Sequence, residues 1–317
     1  MTKTISPPVA PSRPVARSAE PRRPWLSTRR RRQLMGMAMV SPALVVVTVF
    51  FLVPLVMTFW MSLHDWPLLG DHSFTGLANY RRALHDTDWL HAIRFTLTYT
   101  VLITPILLVA GLAVAFLVHR GGRAARVFQS IFFLPVVIGF AAGAFLWLYL
   151  AQPGLGPLAD LAARFGLAGR DTNWFATATS GLLVVTAMVV WKVTGMQMLL
   201  LLSGMQAIPG ELTEAARIDG ASRWKAFLHV TLPLLRPTLA LVLVFSVAGS
   251  LLAFDQFYIM TAGGPSNGTI TAVYQIYRTS FINFDLGYGA ALSAILMVAL
   301  AAVSAVQMLL LRNSDHS

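Results

Sequence analysis

Cysteine is absent from all 317 residues. That excludes disulfides, thiolate nucleophiles and cysteine metal sites. Charge is scarce: Asp, Glu, Lys and Arg together make 12% of the chain, against about a quarter in an ordinary soluble domain. No G-x-x-x-x-G-K-[ST] occurs, so the chain carries no P-loop and no ATPase motor of its own. The seven histidines (64, 72, 85, 91, 119, 229 and 316) form no HExxH-type spacing and read as surface residues. Scattered Ser, His and Asp residues build no recognisable triad. No catalytic residue, metal ligand or bound cofactor is nominated.

What is abundant is apolar. Hydrophobic residues make 56% of the chain and the mean hydropathy is +0.66. Six stretches stand out: Gly36–Trp60, Phe95–Val118, Val127–Leu150, Ser180–Ser203, Thr238–Met260 and Gly287–Leu311. Each is long enough for a helix to cross the hydrocarbon, which takes about 20 residues. The expectation is an all-α membrane protein with six transmembrane helices over residues 34–312. The first stretch is too long for a signal-peptide core and lacks a clear cleavage site.

Net charge is +11, and its placement decides its meaning. Nine basic residues lie in the first 35 positions, ending in Arg29 to Arg32, with only Glu20 opposing them. A basic block before an apolar span reads as a cytoplasmic flank beside anionic membrane lipid, not as a nucleic-acid site. With the N-terminus inside, the inner segments hold 17 Lys and Arg and the outer loops hold 6. The positive-inside rule therefore puts both termini in the cytoplasm. Residues 1–24 carry six prolines and little to bury, so 1–33 reads as a disordered, Pro-rich basic tail. Within its end, Trp25 to Leu34 reads as an interfacial segment. Residues 313–317 form a short second tail.

The inner loop 204–237 is longer than a connection needs. Pro209 and Gly210 open a short helix with Glu211 and Glu214 near its positive end, and Gly220 closes it. Ser222 is a candidate N-cap for a second helix. Trp224, Phe227, Leu228 and Thr231 would give that helix one mostly apolar face, and Pro233 and Pro237 would break it. Ala215 and Ala216 leave the first helix flat enough for close approach by another protein.

The spacing Glu214-Ala215-Ala216, three residues, Gly220, nine residues, Val230-x-Leu232-Pro233 resembles the EAA loop of ABC-importer permeases. Val230 stands where those more often have Ile. "GMQAIPGELTEAARIDGAS" is similar to the carbohydrate branch, and "FDQFYIMTAGGP", "IYRTSF", "LGYGAALSAIL" and "FTGLANY" extend the resemblance over roughly residues 36–312. Within that branch the chain looks like the first of the two permeases in maltose-type and glycerol-3-phosphate-type importers. The resemblance implies a type I ABC importer permease fold in a bacterial-type cell membrane. It implies a second six-helix permease subunit, two ATP-binding subunits holding ATP and Mg, and an extracytoplasmic solute-binding protein that meets outer loops such as "GGPSNG". The EAA segment, with Glu214, Ala215, Ala216, Asp219, Gly220, Ala221 and Pro233, would dock on the ATPase as a coupling helix. Glu214 would pair with a basic ATPase residue. The implied cargo is a sugar or sugar-like solute. An ion-coupled secondary transporter is the alternative.

Two ionisable residues lie within the apolar stretches. Lys192 is mid-span and Asp255 sits in the outer part of span five; they either pair with each other or face a cavity. Ser246, Gly249, Ser250 and Ala253 recur at i, i+3, i+4, i+7. That face packs against another helix or lines the substrate path. The resemblance adds Met196 to the path, with Thr194 and Gln197 as polar neighbours. These side chains are smaller than those of maltose permeases, which argues against a maltose-like pocket.

Overall fold

The computed structural model describes residues 25–119, 121–166 and 169–312. The terminal segments 1–24 and 313–317 lie outside the described residues. The chain divides into two compact units, 1–55 and 56–317. The described part of the first unit is helix α1 (Trp25–Val47), a π turn at Thr48–Leu52 and the start of α2 (Val53–Ser62). Helix therefore begins at Trp25, inside the stretch read as tail, because no Gly or Pro interrupts "WLSTRRRRQLM".

In the second unit, α2 leads into a small ribbon, β1 (His64–Asp65) against β2 (Ser73–Phe74), antiparallel with His64 opposite Phe74. His64 is 7% exposed, and its Nδ1 lies 2.7 Å from the Trp60 carbonyl. It is a packed residue, contrary to its surface reading. The "FTGLANYRRAL" segment forms α3 (Ala78–Ala83). Asp86 then caps α4 (Thr87–Val118), accepting from Asp88 N and Trp89 N. There follow α5 (Gly122–Val137), α6 (Phe140–Leu150), α7 (Pro157–Arg164) and α8 (Ala178–Ala207). The inner loop supplies α9 (Gly210–Ile218), α10 (Arg223–Ala226), a π turn at Phe227–Thr231 and α11 (Leu232–Leu234). The chain ends through α12 (Arg236–Leu251), α13 (Asp255–Met260), α14 (Ala272–Tyr277), a π turn at Arg278–Ile282 and α15 (Leu286–Arg312).

Among the described residues, four helices are long and apolar enough to cross a membrane: Met35–Ser62, Thr87–Val118, Ala178–Ala207 and Leu286–Leu309. The predicted spans three and five are not single rods. The third is split into α5 and α6 with a bend of 101°. Ahead of the fifth, in the inner loop, the segment Arg223–Leu234 meets Arg236–Leu251 at 71°. Span five also stops early. Its helix ends at Leu251, residues 252–254 are not helical, and α13 restarts at Asp255. Apolar content reports burial or lipid contact and is blind to such breaks.

α4 and α8 form the spine. One core cluster joins Tyr99, Ile103 and Leu107 to Val185, Met188, Ala253 and Phe257. A second, nearer the inner loop, joins Ala115 and Val118 to Met198, Leu201, Met205, Phe227 and Leu235. Gly111 permits their close approach: a Cβ there would come 2.8 Å from Gln197 Cβ.

Candidate coupling surface and translocation path

The coupling surface is built by local rules. α9 has Glu211 in its first turn and Arg217 in its last, matching the helix dipole. Its end is a Schellman motif: Ala221 N donates to Ala216 O at 2.9 Å and Gly220 N to Arg217 O at 3.0 Å. Gly220 has φ +81° with open space around a hypothetical Cβ, so conformation alone requires the glycine there. Ser222 caps α10 by accepting from Lys225 N. No residue of α9 is buried. Glu214 and Ala215 are exposed, Ala216 is half-buried, and Asp219 is the exposed C-cap. Glu214 has no ion-pair partner among the described residues.

The second loop helix departs from its predicted form. Helix continues through Pro233 to Leu234, and the bend falls at Leu235. A π turn precedes it, with Leu232 N bonded to Phe227 O, so Pro233 lies where the hydrogen-bond register already changes. Phe227 is buried against Phe116 at 4.7 Å between ring centroids, and Trp224 stacks on Phe227 at 5.6 Å while staying 59% exposed.

The residues nominated for the path fall into two groups. Lys192, Thr194, Gln197, Ser246, Ser250 and Ala253 are buried. Met196, Gly249 and Asp255 are exposed. Gln197 Nε2 donates to Ser246 Oγ at 2.7 Å, tying α8 to α12, and Ser246 donates to Val242 O. Thr194 and Ser250 donate to carbonyls of their own helices. The small face is thus split: its serines are engaged in packing, while Gly249 opens onto free space. Ala253 is not on that helical face, because it lies in the break after Leu251.

Lys192 and Asp255 do not pair; the ion pairs among the described residues are Arg82–Asp285 and Arg170–Asp160. Lys192 Nζ instead donates to the carbonyls of Pro135, at 3.3 Å, and Ile138. It also lies 4.7 Å from the Phe140 ring centroid. A helix end leaves carbonyls short of partners; here the Pro135 carbonyl accepts from Ile138 N at 3.2 Å as well as from the cation, and the Ile138 carbonyl accepts from the cation. The break after α12 has a neutral counterpart: Thr271 Oγ1 donates to Ala253 O at 2.7 Å and accepts from Tyr274 N. Non-helical backbone at membrane depth is tolerated where protein satisfies it. Phe140 and Thr271 were not nominated from sequence, since partners from a distant segment leave no local pattern.

The opposite end of the molecule from the inner loop carries a polar network. Arg82 bonds Asp285 at 2.7 Å, Tyr288 OH donates to Asp86 Oδ2 at 2.6 Å, and the Arg82 guanidinium lies 3.9 Å over the Tyr288 ring. A cavity of about 380 Å³ lies between the inner loop and the ends of α4 and α8, lined in part by Phe116, His119, Arg217 and Arg223.

A sequence profile described as "Binding-protein-dependent transport system inner membrane component" matches residues 88–315. The chain belongs to this family. It is therefore a membrane permease subunit, and the ion-coupled alternative finds no support. The chain is 34% identical over 275 residues to the sn-glycerol-3-phosphate transport system permease protein UgpA of Yersinia enterocolitica, covering 85% of this chain and 91% of that one. It is 32% identical over 266 residues to the trehalose/maltose transport system permease protein MalF of Thermococcus litoralis, covering 83% and 89%. A probable ABC transporter permease of Pyrococcus horikoshii is 32% identical over 259 residues, covering 81% and 88%. Among solved structures, a chain of a bacterial ABC transporter that imports the acidic polysaccharide alginate superposes with TM-score 0.79. It covers 91% of this chain and 98% of that chain at 20% identity, which establishes a common fold.

Proposed function

We propose that this permease imports a sugar or sugar-like solute, such as an oligosaccharide, a monosaccharide or a glycerol-3-phosphate-like polyol, by alternating access driven from outside the chain. Its relatives in glycerol-3-phosphate and trehalose/maltose systems support that cargo class. In this reading all six apolar stretches cross the membrane, two of them bent, with both termini in the cytoplasm. A second permease subunit completes the pathway. Two ATP-binding subunits hold ATP and Mg, and an extracytoplasmic solute-binding protein delivers the cargo.

One observation carries the coupling assignment. α9 is closed at Gly220, keeps every residue out of the core, and follows α8 after only Ile208 and Pro209. A short rigid helix that leaves most of its surface free is suited to seating in another protein. Glu214, Ala215 and Ala216 supply one charge and a flat surface, Gly220 and Ala221 the turn, and Pro233 the rejoining of the second loop helix to α12. Met196, Gly249 and Asp255 are the strongest path candidates, being exposed on the isolated chain.

The test is uptake of radiolabelled maltose, trehalose and glycerol 3-phosphate by cells carrying the intact system. Glu214→Ala should lower uptake about tenfold or more, the scale of a lost coupling of 1–3 kcal/mol. Membrane insertion should remain normal and co-purification of the ATPase should weaken. Gly220→Pro should do the same, because proline cannot adopt positive φ. Unchanged uptake in both variants would refute the coupling role.

A further inference from the structure

The elbow in the third apolar stretch is held from one side. α5 ends at Val137, α6 begins at Phe140, and both limbs rest on neighbouring turns of α8. A Cβ on Gly195 would collide with the backbone carbonyl of Phe132, so α5 meets α8 nearly backbone to backbone. A Cβ on Gly143 would lie 3.2 Å from Met188 Cε and 3.7 Å from Lys192 Cδ, so α6 lies on the same stretch of α8. Between these seats is Lys192, 4% exposed, with its ammonium on the carbonyls of Pro135 and Ile138 and near the Phe140 ring. No carboxylate forms an ion pair with it among the described residues.

We propose that Lys192 is a positioning residue that latches the elbow to α8, so that α8 hands displacement of the coupling helix α9 on to the third span. The transmission clause rests on the permease reading above. The chemistry is that of a helix C-terminus, whose free carbonyls carry partial negative charge and favour a cation. A neutral hydroxyl would satisfy one carbonyl; an ammonium has three donors and reaches two here. The mechanical link is continuous. α8 is unbroken from Ala178 to Ala207, and α9 starts at Gly210. Lys192 is thus about 22 Å along the helix from its inner end, at 1.5 Å per residue. A helix of that length moves as a rod, and whatever is fixed to its middle moves with it. A cation anchored on backbone carbonyls can also let go and re-form without breaking a buried ion pair, which suits a joint that must cycle.

The absence of cysteine from this chain lets label sites be placed in it one pair at a time, with any cysteines of the partner chains replaced beforehand. Exposed Ser130 on α5 and Tyr149 on α6 are changed to cysteine and spin-labelled. Distances are measured by pulsed electron resonance in the assembled transporter in nanodiscs, first without nucleotide and then with Mg·ATP and vanadate. The parent should give a narrow distance distribution for this pair, with the same mean in both states, because both limbs ride on α8. A second pair, Ser130 with exposed Val306 on α15, reads displacement of the third span and should shift with nucleotide in the parent. Lys192→Met keeps the apolar stem and removes the charge. It should broaden the first distribution and lose the shift of the second. Lys192→Arg should restore both, since a guanidinium still donates to two carbonyls. If Lys192→Met fails to insert, Lys192→Gln is measured in its place, with the same expectation. A first distribution that stays narrow in the uncharged variant would overturn the latch. A parent Ser130–Val306 distance that stays fixed with nucleotide would overturn the transmission clause. The width without nucleotide tests the latch independently of import, so failure of the permease reading remains distinguishable.

Discussion

Two interruptions of apolar helix can be set side by side. At Ile138–Gly139 the chain turns through a bend of 101°, and a lysine from α8 donates to two carbonyls, those of Pro135 and Ile138. At Leu252–Phe254 a threonine from the segment before α14 takes one, and the same hydroxyl caps that helix. Both obey the rule that buried backbone polar groups find partners. They differ in the nature of the link. The first joins two limbs to a long rod through a flexible four-carbon stem. The second is a short, stiff side chain engaged at both ends. The first has the makings of a joint and the second of a weld.

The comparison breaks most severely at the seat of the joint. Gly195→Ala places a methyl on the Phe132 carbonyl, and backbone cannot step aside as a side chain can. The expected cost is about 3 kcal/mol, the upper end for overpacking. Reversible unfolding in detergent micelles should register it. A change below about 1 kcal/mol would mean that α5 can lift off α8 freely.

The weld should respond next. Thr271→Val is close in shape but leaves the Ala253 carbonyl unpaired and removes the cap on Tyr274 N. One unsatisfied buried group costs about 1–3 kcal/mol. The expected loss is about 2 kcal/mol, less than at Gly195, with recovery in Thr271→Ser. Equal loss in the serine and valine variants would show that the methyl, not the hydroxyl, matters here.

Legibility in the sequence follows the range of the interaction. The caps of α9 and α10 were legible at Gly220 and Ser222, because a cap is decided within a few residues. The apolar stretches were legible as stretches, since composition reports burial or lipid contact directly. The elbow was not: Ile138 and Gly139 look like any residues of an apolar run, and the cation that permits the bend lies 54 residues away at Lys192. The same holds for Thr271, 18 residues beyond the carbonyl it serves. Lys192 was noticed for the right physical reason, the cost of a buried charge, yet its partners proved to be backbone rather than Asp255. His64 misled in the opposite sense. Its place in a loop suggested solvent, but the ribbon and Trp60 fold over it.

The smallest effect is expected outside both interruptions, at α7. There the Arg170 guanidinium bonds the Asp160 carboxylate and holds it below the usual carboxylate range. A carboxylate depressed in this way stabilises the folded loop above its unfolded value of about 3.9, and the contribution fades as pH falls through the lower folded value. Both partners are open to solvent, and exposed pairs contribute little. Hydrogen exchange over residues 157–164 should therefore be flat in protection from neutral pH to about pH 5 and weaken only below about pH 4. Asp160→Asn should remove that acid dependence without shifting the unfolding midpoint of the whole chain. A shift comparable to that of Thr271→Val would mean that this loop, rather than the two interruptions, limits the stability of the fold. The contrast between joint and weld would then have to be sought in function alone.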